Sequence, residues 1–268
     1  MIFTVDVEDW SQSVLNRNNP VTERVLRSTH QVMDILSENN TKATFFTLGN
    51  VAEKFPSLIA RMANEGHEVA SHGYSHQNIY SMSPSQMRED IAKSIKLLED
   101  AAGTKVIGFR APNFSIREHI FPTFCEALVE SGIRYDSSLF PMKVLKYGIE
   151  KKYDLSVFRE YGIDEFYLSY IKVGSYKLPY FGGGYFRLSP YAMTRSLARS
   201  LPEHAVFYMH PYEVDHGELA FVKENYGKVP LKWLLTQFVG RKGIPDKLRK
   251  LTRDHHMTSF KNAYYSDG

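Results

Sequence analysis

The chain has 268 residues, 43% of them hydrophobic and 24% charged, which is the profile of an ordinary globular protein and suits one large α/β domain better than two small ones. A net charge of +3 is too small to point to nucleic acid, and no stretch is apolar for long enough to span a bilayer. The single cysteine, Cys125, excludes an intrachain disulfide and lies in an apolar stretch where a buried core thiol is expected.

The opening residues lack the charged and apolar regions of a signal peptide, so a cytoplasmic location is expected. Residues 2–7 form a short, β-branched apolar run, a strand that leads into Asp6-Val7-Glu8-Asp9-Trp10. Residues 21–36 place Val25, Val32 and Leu36 on one helical face, and Asn39-Asn40 ends that helix. Residues 43–48 read as the next strand. Residues 56–65 read as a short helix closed by Gly66. A strand over 67–71 runs into Ser71-His72-Gly73-Tyr74-Ser75-His76.

Ser83-Pro84 opens a helix whose Met87, Ile91, Ile95 and Leu98 recur at helical spacing, and Gly103 stops it. A strand over 105–109 ends at Arg110, and a helix over 120–131 closes at Gly132. Residues 143–184 are irregular and aromatic, with Phe181-Gly182-Gly183-Gly184-Tyr185 read as a loop. A late strand over 205–209 ends at His210. Two helices rich in Lys or Arg are expected over 230–238 and 245–257. There is no repeat and no linker-like boundary. The expectation is a single domain, 1–268, with a core over about 1–215 and a helical extension over about 216–268.

Repeated βα units predict a mainly parallel sheet, and such sheets build sites where their strands end. Asp6, His72, Arg110, Asp136 and His210 all fall there. Three carboxylates after a buried strand can supply a metal ligand beside a general base. Two histidines four apart, with a glycine between them, can share one ion. An arginine at a strand end can clamp a carboxylate and keep it ionised. A histidine ending an apolar strand can serve as a general acid. Each signal is modest alone. Their occurrence together, all at strand ends, is specific.

On these residues the chain resembles the polysaccharide deacetylases with the NodB homology domain, carbohydrate esterase family four, over about residues 1–215. Its first motif, Asp6-Val7-Glu8-Asp9, resembles the Asp-x-Glu-Asp branch found among exopolysaccharide-locus deacetylases. Gly-Gly-Gly-Tyr-Phe-Arg and His-Pro-aromatic-Glu are similar to the same branch. The resemblance implies a distorted (β/α)7-type barrel and a divalent metal, most often Zn2+, with Co2+ or Mn2+ as alternatives.

The resemblance also implies roles. Asp6 matches the general base and Arg110 the residue that pairs with it. His72 and His76 match the metal histidines, and His210 the general acid. Asp136 falls near the acid that orients that histidine. In most of the family the metal carboxylate directly follows the base, but here that position is Val7, which cannot ligate. Glu8 and Asp9 both remain candidates, and Glu8 is preferred because residues two apart on an extended strand face the same side.

The implied reaction is hydrolysis of an N-acyl group, foremost N-acetyl, on an amino sugar. An oxyanion donor is expected from a backbone N–H near Asn113 or Phe114. Tyr176, Tyr180, Phe181, Tyr185 and Phe186 are candidates for a sugar platform. Two other functions compete: a cyclic amide or ureide hydrolase of the allantoinase kind on the same scaffold, and a glycan-binding module without catalysis. The expected partner is a saccharide and not nucleic acid. The clustered Arg241, Lys242, Lys247, Arg249, Lys250 and Arg253 allow weak contact of the C-terminal helices with an anionic membrane. His255-His256 read as surface residues.

Overall fold

The computed structural model describes residues 1–140, 155–173, 176–178 and 182–266. Nine strands are formed among the described residues: β1 (Ile2–Val7), β2 (Thr44–Thr47), β3 (Glu68–Ser71), β4 (Gly108–Phe109), β5 (Tyr135–Asp136), β6 (Asp164–Glu165), β7 (Ile171–Val173), β8 (Tyr176–Leu178) and β9 (Val206–Met209). Seven make one sheet in the order β6-β5-β4-β3-β2-β1-β9, and β7 and β8 pair antiparallel. This is the α/β architecture with parallel strands that the βα repetition implies. The chain divides into two compact units, Met1–Thr44 with Ser169–Gly268, and Phe45–Leu168.

In the first unit every residue of β1 is buried, as expected for a parallel strand covered on both faces. β1 pairs in parallel with β9, from Ile2 opposite Val206 to Val5 opposite Met209. Asp6 and His210 therefore leave their strands side by side. The helix Glu23–Ser37 starts where the Thr22 hydroxyl accepts the Arg24 N–H at 3.2 Å, and it buries Val25, Val32, Met33, Ile35 and Leu36. The helix Ile244–Asp254 buries Ile244, Leu248 and Leu251, spaced as one face requires. Beyond it, Thr258 brackets β1: Phe3 N–H donates to the Thr258 carbonyl at 2.9 Å, and Thr258 N–H to that of Met1 at 3.0 Å.

In the second unit the helix Pro84–Ala102 carries a capping box between Ser83 and Gln86, and Gly103 ends it at φ 67°. It buries Met87, Ile91, Ile95 and Leu98. The helix Phe121–Glu130 buries Cys125, as expected, and burial first, then nearby carboxylates, push that thiol up to about 12. Ser71 lies opposite Phe109, Phe109 opposite Asp136 and Asp136 opposite Glu165. That register brings His72, Arg110, Asp136 and Glu165 to one end of their strands.

Three expectations are corrected. The strand expected over 105–109 is confined to Gly108–Phe109. The glycine-rich motif opens a helix, Gly183–Leu188, where a loop was expected. Its glycines serve close approach: a Cβ on Gly182 would meet the Tyr208 ring at 2.3 Å, and one on Gly183 would meet Glu213 Oε1 at 1.7 Å. The basic tail is only partly a surface. Arg241 is buried against Glu218 at 2.6 Å, and the Lys247 ammonium donates to the carbonyls of Arg187 and Ser189 at 2.7 and 2.6 Å. His255 is half-buried and His256 exposed.

Candidate active site

Within the second unit, His72 follows β3 and is buried. Its Nδ1–H donates to the Arg110 carbonyl at 2.7 Å, which fixes the tautomer and puts the lone pair on Nε2, where a metal takes it. The turn that follows has left-handed backbone at Gly73 (φ 75°) and at buried His76 (φ 55°), and the two imidazoles lie 5.9 Å apart. The turn is pinned: the Gly73 carbonyl accepts Gly49 N–H and the Ser94 hydroxyl, each at 2.9 Å, and Asp90 accepts Tyr74 N–H at 2.8 Å. Such preorganisation is what a metal site needs.

Arg110 is fully buried. It donates to the Ser137 carbonyl at 3.2 Å and hydroxyl at 3.0 Å, and its guanidinium lies 4.1 Å from the centre of the Phe46 ring. Asp136 accepts the Ser138 hydroxyl at 2.5 Å. Burial pushes the Asp136 carboxyl up to about 6, and burial together with the Asp136 charge raises Glu165 well above its ordinary value. Asn113 and Phe114 both have left-handed backbone, but Phe114 N–H donates to the Ala111 carbonyl at 3.0 Å. That N–H is therefore not the oxyanion donor expected there.

Within the first unit, Asp6 and Glu8 are buried where β1 ends. Asp9 is buried too, but its oxygens are committed. Oδ1 accepts Ser11 N–H and hydroxyl at 3.0 and 2.7 Å, and Oδ2 accepts Thr22 N–H and hydroxyl at 2.9 and 2.5 Å. Four bonds fill a carboxylate's acceptor sites, so Asp9 shapes the loop. Glu8 Oε1 is 3.5 Å from His210 Nε2.

His210 Nδ1–H donates to Glu213 Oε1 at 3.1 Å, and the same oxygen accepts the His210 backbone N–H at 3.1 Å. The ring stacks on Tyr212 at 4.6 Å and 10°. Burial alone would lower the pKa of His210. The Glu213 hydrogen bond and the charges of Glu8, Glu213 and Asp6 outweigh burial and raise it. The carboxylate that meets the His210 ring within this unit is thus Glu213. Glu213 in turn has Arg187 3.8 Å from its Oε2, and it occupies the space that Gly183 leaves open. Sequence reasoning quoted Glu213, Gly183 and Arg187 inside motifs without giving them roles. Glu165 had no signal.

His72 and His76 are buried within the second unit and Glu8 within the first. Two imidazoles and a carboxylate are donor types that suit a divalent first-row ion. Of the aromatic candidates, Tyr185 is exposed and Phe186 is buried against Phe207. Tyr180, Phe181 and the side chain of Tyr176 lie outside the described residues.

The parallel-strand fold is similar to that of solved family 4 carbohydrate esterases. Two solved examples share the fold. One, from Streptomyces lividans, was solved in complex with acetate; it has a TM-score of 0.54 at 14% identity, with 97% of this chain and 90% of that chain covered. The other is described as a pseudoenzyme from Bacillus anthracis, with a TM-score of 0.52 at 14% identity over 97% of this chain and 63% of that chain. Residues 23–135 match the sequence profile of the polysaccharide deacetylases. Residues 137–265 match a domain of unknown function, DUF3473. A peptidoglycan-N-acetylglucosamine deacetylase of Bacillus cereus is 40% identical over 94 residues, which are 35% of this chain. The match spans about a third, 34%, of that relative's length.

Proposed function

We propose that this chain is a metal-dependent hydrolase that removes an N-acetyl group from an amino sugar in a saccharide. The observation that supports the reading is the pinned strand-end turn that carries the two buried imidazoles, His72 and His76. Zn2+ is the favoured ion, with Co2+ and Mn2+ compatible with the same donors. A divalent ion there supplies a water of lowered pKa and polarises the acyl carbonyl.

The chain's own residues do the rest. Asp6 takes the proton of the attacking water. Arg110, permanently charged, is assigned to hold Asp6 ionised. His210, held on its Nδ1 side by Glu213, gives a proton from Nε2 to the departing amine, without which an amine leaves poorly. The raised pKa of His210 suits an acid that must enter the reaction protonated.

The test is metal content followed by turnover. The untagged protein should bind close to one divalent ion per chain and release acetate from N-acetylglucosamine oligomers, and His72→Ala should lose both. Metal-loaded protein that binds the oligomers and never releases acetate would overturn the hydrolase and leave a glycan-binding module. Release of ammonia or ring-opened product from a cyclic ureide would move the activity to the allantoinase class.

A further inference from the structure

Residues 228–239 divide their side chains between two environments. Inward, Phe238 is buried, and Val229, Trp233 and Leu234 pack on a cluster formed with Trp10, Tyr212 and Val222. Trp10 lies 4.8 Å from Phe238 and meets Trp233 edge-on at 6.1 Å. Outward, Leu231, Leu235 and Val239 are 68%, 53% and 45% exposed. Large apolar side chains grouped in water mark an interaction surface. Lys228, Lys232 and Lys242 flank them, all exposed, and no ion pair engages these lysines among the described residues.

We propose that residues 228–242 dock this protein on an anionic lipid bilayer. Exposed leucine and valine with exposed lysines along the same segment are the chemistry of an interfacial anchor. A neutral apolar partner would leave those ammonium groups without counter-charge, whereas acidic headgroups supply it. Arg241 and Lys247 are consumed inside the fold, so the anchor is this turn and not the helix that follows it. Its inner face reaches Tyr212, which stacks on His210 at 4.6 Å. Docking would therefore bring the proposed acid close to a membrane-borne glycan. That last step, and only that step, rests on the deacetylase reading.

The test is flotation of the full chain with vesicles of phosphatidylglycerol mixed into phosphatidylcholine, against phosphatidylcholine alone. Binding should need the anionic lipid. Leu231→Glu with Leu235→Glu should weaken it by at least about tenfold, and Lys228→Ala or Lys232→Ala by about fivefold each. All four side chains are exposed, so unchanged thermal unfolding verifies the fold. No binding of the parent chain to the anionic vesicles overturns the proposal, as does a leucine double variant that binds like the parent. A double variant that instead converts a dimer to a monomer would make the surface a self-association face. Acetate release from a soluble oligosaccharide is read in parallel. Vesicle binding without any turnover keeps the anchor and removes the hydrolase, and turnover without binding does the reverse.

Discussion

Buried acids are handled differently in the two compact units. In the first, Glu213 sits against two basic side chains, His210 at 3.1 Å and Arg187 at 3.8 Å. In the second, Asp136 and Glu165 lie side by side on neighbouring strands with Arg110 as the nearest cation, and burial holds a proton on the pair. A buried acid with cationic groups beside it and a buried acid pair with few are thus different solutions to the same desolvation cost.

That contrast can be broken most severely at His210. His210→Ala should lower turnover by about 10²–10⁴-fold while bound metal stays near one per chain. Equal loss of metal and activity would remove the acid role. Next comes Glu213→Gln, which keeps the shape but not the charge. It should cost about 10–100-fold in kcat with KM little changed, as for other groups that orient a working histidine. Gly183→Ala should follow it, with an added loss of about 1–3 kcal/mol in stability from overpacking. If Glu213→Gln turned over normally, the geometry at Nδ1 would be incidental.

Asp9→Asn separates the two neighbouring carboxylates. It should cost about 1–3 kcal/mol of stability, read by urea unfolding, because four donors lose a charged acceptor. Bound metal should be unaffected, whereas Glu8→Gln should release it.

The smallest effect is pH-dependent. The folded Asp136 carboxyl, at about 6 against 3.8, keeps a proton that the unfolded chain has released, so stability falls as pH rises from about 4 through about 6. Glu165 is shifted in the same direction. Asp136→Asn should flatten that fall by on the order of 1–3 kcal/mol across the window. Parallel stability curves for the two proteins would show that Asp136 does not carry the proton.

What could be read beforehand was what local chemistry dictates. Ser83-Pro84 with Gln86 three residues after the serine, closed by Gly103, is a complete set of helix signals, and the helix Pro84–Ala102 follows it. β5 and β6 are two residues each, too short for any period to register. The strand period favours Glu8 over Asp9 in the sequence, but that Thr22, thirteen residues on, occupies Asp9 is visible only in the fold. A glycine run signals a loop in the sequence, and only the fold shows that Gly183 makes room for Glu213. Arg241 looked like one more charge in a basic tail, and only the fold reveals Glu218 beneath it.

Cys125 is the chain's single thiol, buried in the helix Phe121–Glu130 with its pKa pushed up to about 12. In the closed molecule it is both shielded and protonated, so a thiol reagent reacts only during moments when that helix comes away. Its labelling rate is a clock on local opening in the unit that contains His72 and His76. Ion loading can be compared on the same clock: whatever slows the ticking has tightened the protein.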